Sequence, residues 1–68
     1  MFLEVITKRK ERLSLNISRI TSVISFKKGT MIFDSAGVGY ELDEPYENVM
    51  ERIFALISPN SEAEILKR

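Results

Sequence analysis

The sequence predicts an α+β fold: an antiparallel four- to five-stranded β-meander followed by one C-terminal amphipathic helix packed on one sheet face. Three observations carry this. Asp43–Ser58 places Tyr46, Val49, Met50, Ile53, Phe54 and Ile57 at i, i+3, i+4, i+7, i+8 and i+11, one face of a helix of 3.6-residue period. Ahead of it, short β-branched and aromatic runs alternate with turn residues. The links between those runs are too short for parallel crossovers, which leaves hairpins.

Taken in order, Phe2–Thr7 reads as a strand with Leu3 and Val5 on one side, Phe2 and Ile6 on the other. Lys8-Arg9-Lys10-Glu11-Arg12 forms a charged turn. Leu13, Leu15 and Ile17 then face one way, against Ser14, Asn16 and Ser18. The three-residue step from Ile17 to Ile20 has turn or helical spacing and predicts a bend over Asn16–Arg19. In Ile20–Phe26, Ile20, Ile24 and Phe26 share a face with Ser22 and leave Val23 on the other. Lys27-Lys28-Gly29 is a hairpin turn with Gly29 free to take positive φ. Thr30–Asp34 directs Met31 and Phe33 one way and Ile32 the other. Ser35-Ala36-Gly37 turns the chain again, and Val38, Tyr40 and Leu42 point inward. Pro45 suits the first turn of the helix, with Asp43, Glu44 and Glu47 at the positive end of its dipole. Pro59 stops it. Residues 1–58 thus form one domain. Residues 59–68 are a short tail in which Ser61 and Glu64 have capping-box spacing for one helical turn.

A chain of 68 residues has room for one small core, which makes assembly a natural source of further stability. Cysteine, histidine and tryptophan are absent. Disulfides, Ser–His and Cys–His nucleophilic machinery and most zinc sites are therefore excluded. The expectation is a non-enzyme without cofactor or metal. Glu41, Asp43, Glu44 and Glu47 match no calcium-loop spacing and read as helix N-terminal charge. Gly37-Val38-Gly39 lacks the following helix of a phosphate loop and reads as hairpin-turn glycines. Asn16-Ile17-Ser18 has a glycosylation spacing but no secretory leader before it. With no long apolar span, the chain reads as a short cytoplasmic open reading frame that does not engage a membrane.

A net charge of zero hides a split. Residues 1–34 carry seven bases against three acids, or +4, and residues 35–68 carry three against seven, or −4. Lys8, Arg9, Lys10 and Arg12, with Lys27 and Lys28, are the candidate anion or nucleic-acid contacts, provided the two hairpin turns share one end of the sheet. No aromatic residue interleaves with them as a stacking platform would require. One helix covers one sheet face, so the second face would carry Phe2, Ile6, Val23 and Ile32. These four are the candidate interaction face, and with the sheet edges they predict self-association or an unidentified protein partner.

The opening Phe2-Leu3-Glu4-Val5, the run Leu15–Ile20, Gly29-Thr30 before an apolar strand and Tyr40–Ile53 resemble the flagellar FlbD / swarming-motility SwrD family of small proteins. The likeness covers roughly residues 2–57; Pro45 replaces the polar residue usual at the helix start, and the tail lies outside the pattern. It implies a cytoplasmic, non-catalytic accessory protein of flagellar function. Similar short proteins occur in phages and mobile elements. Leu15–Leu56 also resembles part of a LytTR-type DNA-binding domain, without the strands that follow its helix. The functional expectation is a non-catalytic interaction protein acting by protein–protein binding as a homo-oligomer. The alternatives are a nucleic-acid-binding transcriptional regulator and a ligand-sequestering oligomer with its site between protomers.

Overall fold

The computed structural model describes residues 1–57. Five antiparallel strands precede one helix: β1 (Phe2–Ile6), β2 (Arg12–Asn16), β3 (Ile20–Phe26), β4 (Gly29–Asp34), β5 (Gly39–Leu42) and α1 (Tyr46–Ile57). The fold is α+β, as the sequence predicts, but the strands divide into two sheets, β1-β2 and β3-β4-β5. They meet where Thr7 bridges Leu42 and the Lys8 N–H donates to the Glu41 carbonyl at 2.8 Å. α1 packs against β1, β3 and β4. The expectation for residues 59–68 falls outside the described residues.

The core consists of Leu3, Val5, Leu15, Ile32, Leu42, Val49 and Ile53. Its composition overturns one expectation. Ile32 is not on an open face; it is 0% exposed at the centre of the core. The cause is register. Cross-strand partners project to the same side of a sheet, and Thr30 pairs with Leu42 while Ile32 pairs with Tyr40. Leu42 is buried at the junction of the sheets, so Thr30 and Ile32 must follow it inward. Val23 opposes Ile32 and turns inward with it, packing half-buried against the core. Ile24, Phe26, Met31 and Phe33 are thereby sent to the outer face, the reverse of what their apolar character suggests.

Two local features make this parity workable. Thr30 is the one buried polar side chain among the described residues, and its hydroxyl donates to the Glu44 carbonyl at 2.8 Å, which removes the penalty of an unpaired buried group. A register shift between Ile20 and Ser22 adds the extra residue of a β-bulge. Ile20 and Val23, three apart, therefore both reach the core. The Thr21 hydroxyl fills the disturbed ladder, 3.3 Å from both the Phe33 and Asp34 carbonyls.

The predicted bend is a 3-10 turn over Ile17–Arg19. Asn16 caps it, accepting from the Ser18 N–H at 3.1 Å and the Ser18 hydroxyl at 2.9 Å. The helix is rolled from the orientation its pattern suggests. Val49 and Ile53 are buried and Leu56 packs on the core, whereas Phe54 and Ile57 are 62% and 52% exposed. The roll lets Arg52 reach across to β1, where its guanidinium donates to the Glu4 carbonyl while also pairing with the Glu44 carboxylate.

The hairpin turns also differ from expectation. Positive φ falls on Lys27 (56°), not on Gly29, and again on Lys10 (68°). Lys10 ends the three-residue loop closed by Thr7 N–H to Glu11 O at 2.9 Å, a position that glycine normally holds. Left-handed backbone costs a side-chain-bearing residue about 1 kcal/mol or more. Lys10→Gly and Lys27→Gly are each expected to raise stability by roughly 0.5–1 kcal/mol in urea unfolding. A loss of stability in both would mean that these lysines hold the turns through contacts worth more than the strain.

Candidate interaction surfaces

Of the four residues expected on the interaction face, Phe2 and Ile6 are exposed, at 59% and 58%, on the outer side of β1. Val23 and Ile32 belong to the inner side, as described above. Their place on the outer face is taken by Ile24, opposite Met31, and by Phe26 beside the hairpin turn. Phe33 is partly covered, because its ring lies across Gly39, where an added Cβ would approach Cε1 to 2.9 Å. Gly39 is thus a strand residue under an aromatic ring, while Gly37 supplies the turn with φ +83°.

β3 is an edge of the three-stranded sheet and pairs only with β4 among the described residues. Its seven residues, Ile-Thr-Ser-Val-Ile-Ser-Phe, contain no charge and no proline. Edge strands normally carry such residues as protection against pairing with another chain. The other outer strand, β2, begins with Arg12, whose guanidinium lies 3.7 Å from the Glu4 carboxylate. Beside β3 runs a groove of about 320 Å³ whose walls include Ile17, Ile20 and Val23 on one side and Tyr46, Met50 and Ile57 on the other.

The basic residues do converge in part. Lys8, Lys27 and Lys28 line one hollow of about 340 Å³, so the two hairpin turns share an end of the molecule. Phe26 joins them, with Lys27 Nζ 5.2 Å from its ring centre, an aromatic neighbour hidden from sequence because the apolar weight of β3 suggests the opposite parity. Glu41 and Asp43 line the same hollow. Lys8 pairs with Glu41 at 3.1 Å and Lys10 with Asp43 at 3.8 Å, so part of the positive field is already neutralised. Lys10 and Arg12 line a separate cleft between β1 and α1 with Glu4, Asp43, Glu44 and Arg52. Among the described residues no cluster of metal-ligating side chains occurs. No helix among them is long and apolar enough to cross a membrane.

The titrating pair with a clear perturbation is structural. Asp34 Oδ1 accepts from the Ala36 and Val38 N–H groups, both at 3.0 Å, and Oδ2 accepts from the Tyr40 hydroxyl at 2.9 Å. The Val38 N–H, then the Tyr40 hydroxyl, hold the Asp34 carboxyl below its ordinary value of 3.8. The same hydrogen bond to Asp34 raises the Tyr40 phenol above 10.0. A lowered carboxyl contributes stability that is complete above its unfolded value and is lost as pH falls through the folded one. The raised phenol contributes below its unfolded value and loses its part as pH rises through the folded one. Asp34→Asn is therefore expected to flatten the acid limb of thermal stability below about pH 4. An unchanged acid limb would show that the turn does not depend on the carboxylate charge.

No family model, curated protein or solved structure matches this chain.

Proposed function

We propose that the chain is a non-catalytic interaction module that acts by protein–protein binding and assembles with copies of itself. One observation carries the reading: eight large hydrophobic side chains are exposed in the described residues, against seven buried. Scattered surface apolar residues are ordinary, but here they include the outer sheet face, β1 and one side of α1. A small domain gains by covering such surface. The absence of histidine and cysteine removes the Ser–His and Cys–His nucleophilic arrangements. Size-exclusion chromatography with light scattering, run from low to high protein concentration, tests this. A species larger than the 7.8 kDa chain is expected; a monomer throughout would remove the self-assembly.

A second reading is contact with nucleic acid through Lys8, Lys27 and Lys28, favoured by their shared hollow with Phe26. It expects oligonucleotide binding that weakens steeply with salt, and no binding at low salt would end it. A motility setting rests on the FlbD/SwrD resemblance alone. Loss of the gene in a flagellated host without a change in swarming would remove that setting.

A further inference from the structure

Resting on the reading that the chain self-associates, we infer that the seam is the free edge of β3, and that its occupant is the β3 of a second copy, paired antiparallel about a two-fold axis at Val23.

The ladder geometry identifies the free groups. Phe26 and Gly29 close a two-residue hairpin, and such a closing pair exchanges both hydrogen bonds. Alternation then commits Ile24 to β4 and leaves the N–H and C=O of Val23 and Ser25 directed to the open edge. Pairing about Val23 joins the Val23 N–H of one copy to the Val23 carbonyl of the other, and the reverse. Ser25 falls opposite Thr21. Residues of one parity stay on one face, so the two helices lie on the same side of a continuous six-stranded sheet.

A second copy fits this surface better than a generic strand. Covering the edge alone would leave the neighbouring groove open. The groove is bounded by the side of α1 that carries Tyr46, Met50 and Ile57, whereas the Arg52 side turns toward β1. Two-fold pairing of β3 brings the two Tyr46–Met50–Ile57 flanks toward each other, and a single event covers both features. β3 itself carries no charge to repel its copy. Pairing about Val23 does set Lys27 opposite Arg19 of the other copy, a like-charge pair at each end of the seam that weakens the dimer and that added salt should relieve. The seam uses about a dozen residues a side, short of the roughly 20–30 of a standard interface. The dimer should accordingly be concentration-dependent.

The test is amide hydrogen exchange on the full chain at about 10 μM and about 1 mM, with sedimentation at both, a span that brackets weak dissociation constants. Val23 and Ser25 amides are expected to exchange at least about tenfold more slowly at the higher concentration, while Ile24 stays protected at both. Ser25→Pro removes an edge donor that β4 does not use, and Ile57→Lys places a charge on an exposed helix position. Each is expected to weaken dimerisation at least about tenfold with an unchanged circular dichroism spectrum. A dimer in which Val23 and Ser25 do not respond, and which both variants still form, would overturn the seam and leave self-association standing elsewhere. Monomer at every concentration would overturn both. Val23 and Ser25 protected in a monomer would also overturn the seam.

Discussion

Gly29→Ala is expected to abolish cooperative folding. A Cβ at position 29 would stand 2.0 Å from the Leu42 carbonyl oxygen and 3.1 Å from its carbon, contacts that no rotamer change can relieve because both atoms are backbone. Relief would require moving the start of β4 away from the end of β5. β5 has little room to yield, since its other side is tied to the first sheet by the Thr7–Leu42 bridge and by the Lys8 N–H to Glu41 carbonyl bond. The Thr30 hydroxyl that holds the Glu44 carbonyl, two residues ahead of α1, would be displaced too. The expected loss exceeds about 4 kcal/mol, within the exceptional class of single-residue effects. A domain of this size commands about 3–5 kcal/mol in total. Urea unfolding followed by circular dichroism should show no transition for this variant. Gly37→Ala is the control: nothing lies within 4 Å of its Cβ, but φ is +83°, so a loss of only about 1–2 kcal/mol is expected. Equal effects at the two glycines would mean that the close approach of β4 and β5 is not what position 29 protects.

Ile32→Asp is expected to unfold the domain, whereas Ile24→Asp is expected to leave it folded and change stability by less than about 1 kcal/mol. The two residues have similar strand contexts and the same side chain, so composition cannot separate them. Ile32 is fully enclosed between Val23 and Tyr40 on its flanking strands, and an aspartate there would be a buried charge without a partner. Ile24 is 46% exposed on the outer face. Even the mild substitution Ile32→Ala should cost about 2–5 kcal/mol by leaving a cavity. The pair is a direct test of strand parity. An Ile24→Asp protein that unfolds while Ile32→Asp survives would reverse the inner and outer faces of the second sheet.

Much of this architecture is legible without coordinates, because it is written in local patterns. The helix over Tyr46–Ile57 follows from its unbroken apolar period and from the prolines at either side. The 3-10 turn follows from the Ile17–Ile20 spacing. The alternation of Leu3 and Val5 against Phe2 and Ile6 was sufficient to put the first pair inside. Each of these depends on neighbours within a turn or two of chain, where period and steric preference act directly.

Strand register settles what local pattern leaves open. Judged one strand at a time, Ile24, Phe26, Met31 and Phe33 outweigh Val23 and Ile32 for a place in the core. Register reverses this, because Leu42 is anchored where the two sheets meet and its partners Thr30 and Ile32 are bound to its side. Once Ile32 is inward, Val23 must follow, whatever the apolar weight of the alternative. The roll of α1 has a similar origin: Arg52 finds the Glu4 carbonyl on a strand forty-eight residues away, a contact that no helical period encodes. The same long-range choices place Phe26 with the basic turns and leave an uncharged β3 beside an open groove. Local pattern selects which elements form; the coupling of cross-strand pairs to a single face selects which of their residues are left to offer a partner.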